Sequence, residues 1–174
     1  MGSKNKLKRF RENDTFSNVI QPTRKEVLDG FSKKGNWHTF FNNNNPIVLE
    51  LGCGKGEYTI ALARKNPNIN YIGIDLKGAR FWRGAKTALE ENLTNVAFIR
   101  TQIELIDLLF SESEVDEIWI TFPDPQIKYT RTKHRLTNAE FLKKYHHVLK
   151  PEGIVNLKTD SEFMHGYTLG LLHG

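Results

Sequence analysis

Four carboxylates and one glycine turn stand in this sequence where chemistry can be done. Glu50, Asp75, Asp124 and Asp160 each lie at or just past the end of an apolar run, and Gly52-Cys53-Gly54-Lys55-Gly56 follows the first of them. Glycines at such a turn allow positive φ and close approach of the main chain to a ligand, while the N–H groups of the helix that follows point at an anionic group. Gly52 and Gly54 are therefore candidate cofactor contacts. The spacing is G-x-G-x-G rather than the G-x-G-x-x-G of a dinucleotide site, and Glu50 and Glu57 flank it. Two carboxylates repel a pyrophosphate but attract an ammonium and a sulfonium. S-adenosylmethionine carries both charges, so Glu50 is expected on the ammonium side and the helix start on the carboxylate side. Asp75 falls some twenty residues beyond the glycines, where a carboxylate reaches ribose hydroxyls. The plainer alternative is that Glu50 and Asp75 cap turns or pair with Lys55 and Lys77; two acids in register with the turn favour the cofactor.

Asp124 sits between Pro123 and Pro125, which restricts its backbone and suits a positioning carboxylate, although a turn-forming aspartate is natural in the same context. Lys128, Arg131, Lys133 and Arg135 crowd in behind it and read either as phosphate contacts or as a solvated loop. Gln102, after the third apolar strand run, is a candidate for an adenine edge and equally a surface glutamine. The single cysteine, Cys53, excludes an internal disulfide and a multi-cysteine zinc site; no metal is expected. Lodged between turn glycines, it reads as a small packing residue rather than a nucleophile.

The elements that must place these groups alternate. Strands are expected at Ile47–Leu49, Ile69–Asp75, Val96–Arg100, Val115–Thr121 and Ile154–Lys158. Helices are expected from Thr23 to Phe31, from Tyr58 to about Asn66, from Lys77 to Asn92 and over Ile103–Phe110. Two more should run from a Thr137/Glu140 capping box to about Leu149, stopped by Pro151-Gly153, and onward from Glu162. Strand–helix alternation predicts an α/β, Rossmann-like doubly wound parallel sheet with ligands at the carboxyl ends of its strands. Glu50, Asp75, Gln102, Asp124 and Asp160 all fall at those ends.

The 174 residues suit one domain, and no apolar run approaches the roughly twenty residues that cross a bilayer, so a cytoplasmic protein without a membrane partner is expected. A net charge of +5 leans toward a polyanionic partner. Residues 1–20, with Lys4, Lys6, Lys8, Arg9 and Arg11, read as a mobile basic arm ahead of a domain spanning 21–174. Monomer and homodimer both remain open.

ELGCGKG, the acid of GIDLKGAR, FPDPQIK with its basic run into HRLTNAEFLKKY, and KTD together resemble the bacterial tRNA (guanine-N7)-methyltransferases, over about Pro46 to Asp160. The resemblance implies a class I fold and methyl transfer from S-adenosylmethionine to guanine N7 in the tRNA variable loop. By that likeness Glu50, Asp75 and the Gln102 position bind the cofactor, Asp124 lies beside it as the catalytic carboxylate, and Lys128 and Asp160 meet the RNA. Members of the family continue into an antiparallel hairpin bearing a Thr-x-x-Glu element, whereas this sequence stops at Gly174. The expectation is a domain truncated at its C-terminus. Two rival functions are a small-molecule methyltransferase and a non-catalytic RNA-binding protein with a vestigial cofactor site.

Overall fold

The computed structural model describes residues 2–174. Helix α1 (Ser3–Asn13) and a two-residue strand β1 (Val19–Ile20) come first, then α2 (Arg24–Gly30) and α3 (Trp37–Phe41). Strand and helix then alternate through β2 (Ile47–Leu51), α4 (Glu57–Lys65), β3 (Asn70–Asp75), α5 (Gly78–Glu90), β4 (Val96–Arg100), α6 (Ile106–Leu109), β5 (Val115–Thr121), α7 (Ala139–Val148), β6 (Leu149–Lys158) and α8 (Glu162–His173). Short 3₁₀ turns cover Ile103–Leu105 and Tyr129–His134.

All strand pairs are parallel, in the order β1-β4-β3-β2-β5-β6. The chain winds outward from β2 through β3 to β4, then returns to the other side of β2 with β5 and β6, so β2 and β5 meet at the topological switch point. In open parallel sheets the crevice for a ligand lies there, beyond the carboxyl ends of the strands. The expected doubly wound sheet is the observed one.

The buried runs explain the strands. Every residue of β2 is buried, as befits a central strand covered on both faces. Trp37 closes the amino-terminal end of the sheet, its indole N–H donating to the Leu109 carbonyl at 2.9 Å and its ring stacked 5.3 Å from Phe110. On the other face, Gly56 and Gly84 make room for the Phe98 ring; a Cβ on Gly56 would lie 2.7 Å from that ring, and Gly56 also has φ +78°. This contact sets the distance between the glycine turn and α5.

Three expectations are corrected. Residues 1–20 do not form a mobile arm among the described residues: α1 packs on α5, the buried Asn13 side chain donates to the Gly78 carbonyl at 3.0 Å, and β1 adds an edge strand to β4. The composition hid this, because a cationic helix with only one stripe of contacts looks like a solvated tail. The N-cap of α7 is Asn138, whose side chain accepts from the Phe141 N–H at 2.9 Å, while the Thr137 hydroxyl lies 2.7 Å from that of Thr168. The capping box belongs instead to Thr23 and Glu26 at the start of α2. Finally, Pro151-Gly153 does not stop the helix: α7 ends at Val148, Leu149 already pairs with Val115, and the intervening residues bulge before Ile154 meets Glu117.

Candidate cofactor cleft and substrate loop

Glu50 reaches the switch point because β2 alternates, and its carboxylate is held from both sides. The Thr59 hydroxyl on α4 donates to Oε1 at 2.6 Å, and the Thr121 hydroxyl at the end of β5 donates to Oε2. The residue is only 4% exposed, and burial raises its proton affinity above the ordinary glutamate range against the lowering effect of the two threonines. Asp75, at the end of the neighbouring β3, is fixed differently. The Gly54 N–H donates to its Oδ2 at 2.9 Å and the Lys77 N–H to its Oδ1 at 2.9 Å. Each oxygen keeps lone-pair capacity for a hydroxyl. Gly52 and Gly54 have φ of +73° and +55°, a conformation that lets the turn fold back under Asp75.

These groups line one cleft of about 660 Å³, which also takes in Glu57, Tyr58, Arg80, Thr121 and Phe122. Cys53 lies at its floor, buried, its thiol proton affinity pushed up chiefly by burial; it packs rather than attacks. The cleft fits the charge pattern read from the sequence, with both acids and the first turn of α4 lining it. The N–H groups of that turn have no intrahelical acceptor. A sulfonium amino acid linked to a ribose suits that donor and acceptor set.

Phe122-Pro123-Asp124-Pro125-Gln126-Ile127-Lys128 leaves β5 as a strained loop. Phe122 and Gln126 both hold positive φ, +47° and +49°, costly for non-glycine residues by about 1–3 kcal/mol each. The Phe122 N–H is tied to the Lys158 carbonyl at 2.7 Å, and the residue stands 59% exposed at the cleft. Asp124 is exposed and does not line the cleft wall; its Oδ1 accepts the Gln126 N–H at 3.0 Å, an Asx turn that supports the left-handed Gln126. Gln102 also lies off the cleft: its side-chain oxygen accepts from Arg24 at 2.7 Å, in a separate cavity of about 390 Å³ lined in part by Leu76, the residue after Asp75. Asp160 lines a third hollow beside Lys158 and His165. Lys128, Arg131 and Lys133 are exposed around the loop, with Arg131 donating to the Gln126 side chain at 3.1 Å.

Residues 44–172 match a family model described as "Putative methyltransferase". The tRNA (guanine-N(7)-)-methyltransferase of Christiangramia forsetii is 74% identical to the chain, over 100% of the chain and 79% of that protein. The chain belongs to this family. The tRNA (guanine-N(7)-)-methyltransferase of Porphyromonas gingivalis is 53% identical over 91% of the chain and 66% of its own length, so the chain spans 66% to 79% of these relatives. A solved 16S rRNA (adenine(1408)-N(1))-methyltransferase of Catenulisporales acidiphilia, carrying its cosubstrate SAM, superposes with a TM-score of 0.56 at 18% identity, covering 71% of the chain and 60% of that structure. The likeness establishes the class I methyltransferase fold.

One basic residue behind the loop is not free to meet a ligand. Arg135 is 5% exposed. Its guanidinium donates to the Gln126 carbonyl at 3.0 Å and to the Ile127 carbonyl at 3.2 Å, and lies over the Phe163 and Tyr167 rings at 4.8 and 4.5 Å. Expected from the sequence as a phosphate contact, it instead ties the loop to α8. Arg135→Lys keeps the charge but loses the planar fork, and is expected to destabilise the fold by about 1–3 kcal/mol in urea unfolding. An unaltered urea midpoint would remove the clamp. Thr59, Thr121, Phe122 and Arg80 are further cleft residues that no spacing singled out. A hydroxyl at a strand end beside a buried acid is the one signal Thr121 gave.

Proposed function

We propose that this chain transfers a methyl group from S-adenosylmethionine to N7 of a guanine in the variable loop of tRNA, in the cytoplasm. The observation that carries the reading is the buried Glu50 carboxylate opening, at the switch point of the sheet, onto the same cleft as Asp75. Family membership and the FPDP loop support it.

Glu50 would hold the cofactor's ammonium, Asp75 its ribose hydroxyls, and the Gly52–Gly54 turn with the start of α4 its carboxylate. Gln102, reached past Leu76, is the candidate for the adenine side. Bound there, the cofactor supplies a methyl group on a positively charged sulfur. An ammonium beside Glu50 keeps that carboxylate ionised, offsetting the burial that favours its protonated form. The chain's own residues need not remove a proton from the nucleophile, because guanine N7 bears a lone pair and no hydrogen. Their task is alignment and charge. Asp124 can accept from the N1–H and N2–H₂ edge of guanine and offset the positive charge that develops on the purine. Phe122 offers an exposed ring against which an extruded base can stack. Lys128, Arg131 and Lys133, exposed around the loop, would hold phosphates, and Asp160, also exposed, would meet the RNA.

The deciding experiment mixes the chain with labelled methyl donor and unmodified tRNA and locates the modified nucleotide. Label at guanine N7 of the variable loop is expected. Label on small molecules alone, or tRNA binding without cofactor binding, would overturn the reading.

A further inference from the structure

Resting on tRNA as substrate, we propose that the face shared by α1 and α5 is a phosphate-binding track that leads RNA out of the cleft. Its core is Arg80, Arg83 and Lys86. Residues three apart lie on one helical face, and at 1.5 Å per residue these three extend over about 9 Å. The first of them lines the cleft, so the row begins at the site and runs outward. The opposite face of α5, with Phe81, Gly84, Ala85 and Ala88, is buried against the sheet.

Helix α1 supplies the second rail. Trp82 joins the two helices: its indole N–H donates to Glu12 Oε2 at 2.6 Å, and Arg9 reaches the Ala79 carbonyl at 3.4 Å. Three cations surround that one ring, with Arg9, Arg83 and Lys86 at 4.4, 5.3 and 5.0 Å from its centroid. Gathering like charges this closely costs free energy unless an anion neutralises them, and little in the protein does. Glu90 lies 3.5 Å from Arg83, and Glu12 is 4.0 Å from Lys8; among the described residues no carboxylate pairs with Arg9, Arg80 or Lys86. Lys4, Lys8 and Arg11 continue the positive surface along α1 around a shallow hollow.

The shape of the surplus selects its partner. A free phosphate calls for donors converging on a point, whereas these cations form an open row that continues from one helix to the next, which matches a chain of phosphates. Packing of α1 on α5 through Asn13 and Trp82 fixes the row, so the track is a property of the folded domain rather than of a loose tail.

The test measures the affinity of unmodified tRNA as a function of salt for the wild-type chain, for Arg83→Gln/Lys86→Gln, and for Lys33→Gln/Lys34→Gln. The last pair removes the same charge at the opposite, amino-terminal end of the sheet, next to a backbone N–H that donates to Glu114 just before β5. Each lost phosphate contact lowers the slope of log affinity against log salt by about 0.7–0.9, so the α5 pair is expected to lower it by about 1.5. The single exposed substitution Arg83→Gln should give about half that fall. Cofactor affinity and the rate at saturating tRNA should remain those of the wild type, and the Lys33/Lys34 pair should keep the wild-type slope. An unchanged slope for the α5 variants, or an equal fall in the Lys33/Lys34 pair, overturns the track while a chain that still labels guanine N7 keeps its proposed function. A wild-type chain that binds no tRNA overturns both.

Discussion

Replacing Glu50 with glutamine is expected to weaken S-adenosylmethionine binding by roughly thirtyfold, about 2 kcal/mol, while making the ligand-free chain more stable at neutral pH. The two effects share one cause. Glu50 is buried and its proton affinity is raised by desolvation, so its contribution to stability is complete below the ordinary glutamate range and is lost as pH rises through its raised value. Glutamine keeps an oxygen for one threonine hydroxyl and an amide for the other but does not titrate. Thermal midpoints of the two ligand-free proteins should therefore separate as pH is raised from about 4 to 8, with the variant higher. Equilibrium dialysis with labelled cofactor reads the other half. A variant that binds as tightly as the wild type would take Glu50 off the ammonium, and midpoints that stay parallel across the range would show that the buried carboxylate costs nothing. A destabilised group kept at a ligand site, where the ligand relieves the cost, is the trade between stability and activity that binding sites often make.

The second large effect is expected at Asp124, and here the choice of variant matters. The carboxylate already accepts the Gln126 N–H, so alanine removes a charge and also the support of a left-handed residue. Asparagine keeps the acceptor and removes only the charge. Asp124→Asn is expected to lower the methylation rate at saturating substrates by about a hundredfold, the usual cost of losing one group that stabilises developing charge, with cofactor affinity unchanged. Asp124→Ala should fall at least as far and also raise the concentration of tRNA needed, because the loop loses its turn. If Asp124→Asn turns over at the wild-type rate while Asp124→Ala does not, the residue builds the loop and takes no part in charge stabilisation.

Glu50, Asp75 and the glycine turn were legible because strand geometry converts spacing into position. A carboxylate at the end of a buried parallel strand must lie at the carboxyl edge of the sheet, and neighbouring strands beside a switch point, here β2 and β3, bring their acids to one crevice. Asp124 was legible as a loop residue but not as a turn former already using one oxygen. Gln102 fell at the right edge of the sheet, yet Arg24, far away in sequence, draws its amide into a separate cavity. The helical arm escaped notice for a related reason: its burial rests on Asn13 and on contacts with Trp82, long-range pairings that no local period records.

The sequence by itself determined the order of strands and helices, the parallel sheet, the cleft at its carboxyl edge and the charge that cleft presents, since periodicity, turn chemistry and the count of acids and bases are local properties of the chain. Only the tertiary structure decided which cations remain available to a ligand. Arg135 and Arg131 belong to the same short basic run, but one is enclosed between the aromatic rings of α8 and the carbonyls of its own loop while the other faces solvent. Whether a charge is spent inside the protein or offered outside depends on what is packed against it, and that partner comes from elsewhere in the chain.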